Sequence, residues 1–72
     1  MADLHPLRKY REIEGLSQEQ LGAKLGVTGA TIYRWERGSR APRRREIKRI
    51  SRLTGIPVAK LAAAGAVTEP VE

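Results

Sequence analysis

Cysteine is absent from this 72-residue chain and histidine occurs once, at His5. No disulfide can staple the fold and no thiolate can bind metal, and a lone imidazole leaves no metal site to expect. Long apolar runs are missing too: the longest, Leu61 to Val67, falls far short of the roughly 20 residues that span a bilayer. The N-terminus lacks the basic-then-apolar build of a secretion signal. We therefore expect a soluble, cytoplasmic chain with no membrane partner. There is no strand-like alternation, no Gly-rich phosphate loop and no activated nucleophile. No enzymatic activity and no cofactor are expected.

What the chain does have is basic charge, and it is concentrated. Its net charge is +6. Nine basic residues between Arg34 and Arg52, set against Glu36 and Glu46 alone, make that block +7, and the rest of the chain sums to −1. The other acids, Asp3, Glu12, Glu14, Glu19, Glu69 and Glu72, all lie outside it. A surface of this kind neutralises phosphates and releases their counterions, so the block has the electrostatics of a nucleic-acid footprint.

At the head of that block, residues 17 to 38 read as two short capped helices joined by a tight turn. Ser17 and Gln20 form an S-x-x-Q capping box, Leu16 can staple onto Leu21, and Gly26 closes the helix after Leu25. Val27, Thr28 and Ile32 repeat the cap-and-staple arrangement, and Gly38 ends the second helix. At about 100° per residue, Ala30, Tyr33, Arg34 and Arg37 share one stripe, with Thr28, Ile32, Trp35 and Glu36 opposite. One face packs and the other reaches outward.

The pattern resembles the phage-repressor family, the Cro and CI or XRE-like type of helix-turn-helix. The resemblance covers about residues 4 to 64: Leu7 and Arg11, Gly15-Leu16-Ser17-Gln18, Leu21 with a small residue after it, Gly26-Val27-Thr28, Ile32, Trp35-Glu36-x-Gly38, Pro42, Gly55-Ile56, Val58 and Leu61. It implies an all-α fold, a compact bundle of five short helices of the lambda-repressor-like DNA-binding type. We expect helices at about 4–14, 18–25, 29–37, 44–54 and 58–64. The core would draw on Leu4, Leu7, Tyr10, Leu16, Ile32, Trp35, Ile47 and Ile50. The domain would be residues 1–64, followed by a flexible tail over 65–72, where periodicity is lost and Pro70 occurs. A chain this short buries only about 60% of its unfolded surface, so there is room for one domain and a small core.

The same resemblance implies a sequence-specific regulator of transcription on double-stranded DNA, acting as a homodimer on half-sites about 10 bp apart. Gly29, Ala30, Thr31, Tyr33 and Arg34 are the expected base readers. Gly29 and Ala30 would leave the backbone open to close approach, the Thr31 methyl would pack on a thymine methyl, and Arg34 can give two hydrogen bonds to guanine. A phosphate contact is the alternative for Arg34, and Tyr33 can serve either way. Gln18, Thr28, Arg37, Ser39, Arg40, Arg43 and Arg44 are expected on the DNA backbone. Arg11 and Glu36 are expected to form a structural salt bridge. Cations in a helix's first turn cost roughly 0.3 to 1 kcal/mol each, so Arg43, Arg44 and Arg45 imply either compensation by Glu46 or an anion at the helix end.

Other readings stay open at this stage. Arg45, Lys48, Arg49 and Arg52 form a basic stripe that is a solvated face, a wider DNA footprint or a surface for an acidic partner. Thr54 stands where relatives carry a core Leu and should weaken packing between the last two helices. Val58 and Leu61 either form a dimer surface or close the core. The rival function is an antitoxin-type module that binds a protein partner and autoregulates through DNA, and a binder of RNA or anionic membrane through the fourth helix is a third.

Overall fold

A computed structural model describes residues 5–66 of the chain, which form five helices: α1 Pro6–Glu14, α2 Gln18–Leu25, α3 Gly29–Arg37, α4 Arg44–Thr54 and α5 Val58–Ala66. The expected start of α1 at Leu4 is corrected. Proline has no N–H to lose at the first helical position, and its ring keeps the preceding residue out of the helical region. His5 accordingly caps the helix from an extended conformation, its Nδ1 accepting from the Leu7 N–H at 3.1 Å. Leu4 lies outside the described residues.

The caps of α2 and α3 follow from their residues. Ser17 Oγ accepts from the Gln20 N–H at 3.0 Å while Gln20 Oε1 accepts from the Ser17 N–H at 2.8 Å. These bonds satisfy two donors that a helix start would otherwise leave open. Leu16 packs half-buried against the core cluster containing Leu21. The α2 end falls at Gly26, whose φ of +79° lies in the left-handed region that suits glycine. Thr28 then caps α3 through its hydroxyl, which accepts from the Thr31 N–H at 3.1 Å.

The core is assembled from Leu7, Leu21, Leu25, Ile32, Trp35, Ile50 and Leu61, with Tyr10, Leu16, Val27, Ile47 and Ile56 packed around it. Each helix therefore contributes at least one side chain that can only be buried in company with the others. The closest pairing is between α2 and α3, and α4 with α5 forms the next. Gly22 permits the first: a Cβ there would stand 2.6 Å from the Val27 carbonyl oxygen and 2.9 Å from the Thr28 carbonyl carbon. Backbone sits where a side chain would go.

One further expectation, the end of α5, is revised in the C-terminal pair. The Thr54 hydroxyl donates to the Ile50 carbonyl at 2.7 Å and accepts from the Ile56 N–H at 3.1 Å, tying the chain across Gly55. The helix α5 runs to Ala66, past the expected end at Ala64. A glycine inside a helix costs about 1 kcal/mol relative to alanine, an amount that the alanines before it tolerate. The remainder of the expected tail, 67–72, lies outside the described residues. Leu61 is buried and closes the core, whereas Val58 is exposed. Among the described residues, no helix is long and apolar enough to cross a membrane.

Candidate nucleic-acid interface

Helix α3 is held by two buried side chains, Ile32 and Trp35. With those two turned inward, a 3.6-residue repeat directs Ala30, Tyr33, Arg34 and Arg37 to the other side, and all four are exposed. Tyr33 and Arg37 are joined there. Arg37 Nη1 donates to Tyr33 Oη at 2.6 Å, and its guanidinium carbon lies 5.5 Å from the ring centre, within cation–π range. The Arg34 side chain has no partner among the described residues, while its carbonyl accepts from the Ser39 N–H at 3.1 Å and the Ser39 hydroxyl at 3.4 Å.

Two of the expected base readers, Gly29 and Thr31, make contacts within the protein, and Thr28 departs from its helical phase. Gly29 has no room for a side chain: a Cβ there would come within 2.9 Å of Glu19 Cγ and 3.2 Å of Glu19 Cα. Its missing side chain lets the start of α3 pack on the start of α2, a packing role that the sequence did not announce. Thr31 is half-buried, its hydroxyl 3.0 Å from that of Thr28, and it lines a hollow toward α4 with Trp35, Arg40, Arg43 and Glu46. Thr28, placed with the packing side by helical phase, is exposed because a cap residue precedes the helical repeat.

Behind the outer face, Arg11 reaches from α1 to Glu36 of α3 as a two-bond fork. Its Nε donates to Glu36 Oε2 at 2.9 Å and its Nη2 to Oε1 at 3.0 Å, while Nη1 donates to the Leu16 carbonyl at 3.3 Å. The hydrogen bond to Glu36 holds the Arg11 guanidinium above its ordinary pKa. Only 6% of the Glu36 side chain is exposed, and 18% of Arg11. Gln18 completes the group, its Nε2 donating to Glu36 Oε1 at 3.2 Å. Sequence reasoning missed this third member, because residues 18 apart in sequence meet only through the tertiary packing of α2 on α3. With the amide side chain so engaged, the backbone N–H groups at the start of α2 are the groups left to face a ligand.

Two open hollows flank Gln18 and Tyr33. One is lined by Arg8, Arg11, Ser17, Gln18, Tyr33, Glu36 and Arg37; the other by Gln18, Glu19, Thr28, Gly29, Ala30 and Tyr33. Together they make a shelf along the start of α2 and the outer side of α3. At the opposite edge, Arg40, Arg43 and Arg44 are exposed around the loop between α3 and α4. Glu46 turns back to cap α4, its Oε1 accepting from the Arg43 N–H at 2.8 Å, which offsets part of the charge conflict in that first turn. None of the nine cations from Arg34 to Arg52 is engaged in an ion pair with another described residue.

Arg49 is the one member of the α4 stripe with a visible structural task. A Cβ on Gly26 would lie 2.6 Å from its Nη2, so the guanidinium rests over the C-terminal end of α2, where the helix dipole favours a cation. No local pattern announced that contact.

A helix-turn-helix family profile matches residues 7–61. Two curated relatives, from Sinorhizobium medicae (strain WSM419) and Rhizobium meliloti (strain 1021), are each described as an uncharacterized HTH-type transcriptional regulator and are 35% identical over 52 residues. The alignment takes in 72% of this chain and 37% of each relative, so the chain spans little more than a third of their length. No solved structure is a significant match. On the extent of the profile and the shared residues, the chain belongs to the helix-turn-helix family of the XRE/Cro-CI type.

Proposed function

We propose that the chain is the DNA-binding part of a transcriptional regulator and that it lays α3 in the major groove of double-stranded DNA as a homodimer on a palindromic operator. One observation carries the reading: Ile32 and Trp35 anchor α3 from below while Tyr33, Arg34 and Arg37 stand exposed on its other side. A major groove is wide enough to admit such a helix. Arg34, exposed on that side, reads guanine O6 and N7, and Ala30 and Tyr33 contribute shape and apolar contact beside it. The starts of α2 and α4 bracket the groove, so that the α2 amides around Gln18, with Thr28 and Arg37, hold one strand. Ser39, Arg40, Arg43 and Arg44 hold the other. Such phosphate contacts fix register, while base contacts carry sequence.

Selection of bound duplexes from a random pool tests this directly. The expected result is an enriched motif with two inverted half-sites about 10 bp apart. Arg34→Ala should lose about 1 to 3 kcal/mol of discrimination at one or two positions of that motif and little elsewhere. An unenriched pool would remove the assignment of sequence-specific binding.

A further inference from the structure

Helix α4 carries more positive charge than the bracketing of a groove requires. Arg44, Lys48 and Arg52 recur every fourth residue and so stand in one file along the helix, with Arg45 beside it; all four are exposed. Successive members are about 6 Å apart along the axis, and the file runs for about 12 Å. Every i,i+3 or i,i+4 neighbour within the group is of like sign, an arrangement that opposes the helix. A face that needed only solubility would tolerate alternating signs. Arg49 is accounted for by its seat over the end of α2, but Lys48 and Arg52 have no ion-pair partner among the described residues.

We propose that this file is a second phosphate track, engaging duplex that flanks the segment gripped by α3. The inference rests on the DNA-binding function proposed above and extends its footprint. The file starts at Arg44, beside the edge where α4 meets the α3–α4 loop, and continues away from it without interruption. An acidic protein is the weaker occupant. Protein interfaces centre on apolar and aromatic side chains, and no apolar residue falls between Arg44, Lys48 and Arg52 on the helix surface. A continuous row of phosphates needs only spaced cations.

The test compares the selected core duplex with the same core extended by about 10 bp, one further turn, on each side. Affinity is measured over a range of salt for the 72-residue chain and for the double variant Lys48→Gln/Arg52→Gln. For the unaltered chain, extension should tighten binding and steepen the log–log salt slope by about 1.8 per protomer, 0.9 for each of the two cations. The double variant should bind the core with unchanged affinity, gain nothing from extension, and melt no lower than the unaltered chain, since the exchange relieves like-charge repulsion. Core binding with no benefit from extension overturns the phosphate track alone, and so does an equal benefit in the variant; either result leaves an acidic partner or a solvated face. Absence of core binding overturns the DNA-binding function, and the track with it.

Discussion

Single side chains in this domain act mostly through partners that the linear order conceals. The Arg11–Glu36 fork is the clearest case. Removing the guanidinium strands a carboxylate that is almost wholly out of water and retains only the Gln18 amide. Breaking a buried pair from one side costs up to about 3 to 5 kcal/mol. We expect Arg11→Met to destabilise the fold by about 3 kcal/mol in urea titration, and Arg11→Met/Glu36→Leu to recover most of it, because no charge is then left without its counterpart. His5 supplies a prediction in pH. Burial pushes its imidazole below the ordinary value of 6.5, and the nearby charge of Glu36 opposes that shift only in part. Below pH 6.5 the unfolded chain therefore binds a proton that the folded one resists, so stability is complete above that pH and falls as pH drops through the depressed folded value. Protonation also removes the Nδ1 lone pair that caps α1. Melting temperatures across this range should decline for the unaltered chain and decline less for His5→Asn, whose amide keeps a cap without titrating there.

Between elements, the decisive contact is the one made by α2 and α3, since it sets the angle at which the outer side of α3 is offered. Backbone approaches backbone at Gly22, where the Val27 carbonyl occupies the space of a Cβ. A branched side chain at that point has nowhere to go without parting the two helices. Gly22→Val should destabilise by about 3 kcal/mol, at the upper end of overpacking effects, and the loss should show both as a lower melting temperature and as weakened DNA binding at temperatures where the variant is still folded. The residues announced a small side chain after Leu21. Its cause, a carbonyl from the turn five residues later, is a tertiary fact. The same holds for Gly29, legible as a residue that leaves the backbone open but seen to pack only once Glu19 is found against it. Helix limits were more legible, because capping boxes, proline at a first turn and glycine after a last turn are local chemistry. Where the expected limits moved the cause was again local: proline set the start of α1 at Pro6, and the helix preference of the alanines before Gly65 outweighed that glycine as a stop.

For the whole molecule, the charge distribution makes the strongest quantitative demand. Four cations, Arg37, Arg40, Arg43 and Arg44, are proposed on the backbone of a core site. Counterion release then predicts a log–log salt slope of roughly −3.6 per protomer on the core duplex, 0.9 for each phosphate neutralised. Fluorescence anisotropy between low and moderate salt checks this, and a flat response would remove those arginines from the interface. Arg44→Gln should weaken binding to all sequences alike and make the slope shallower by about 0.9, in contrast to the position-specific loss expected of Arg34→Ala.

The amino-acid sequence by itself determined the five helices, their caps and the local excess of positive charge, because each depends on interactions within a few residues of the chain. It also determined which side of α3 is polar, since a 3.6-residue repeat separates Ile32 and Trp35 from Tyr33, Arg34 and Arg37. Only the tertiary structure decided that Gln18 joins Arg11 at Glu36, that Gly29 packs against Glu19, that Arg49 rests over Gly26, and that Leu61 closes the core while Val58 does not. Those outcomes turn on which helix surfaces meet. Burial of seven apolar side chains drawn from all five helices selects that meeting collectively, and no single segment carries the information alone.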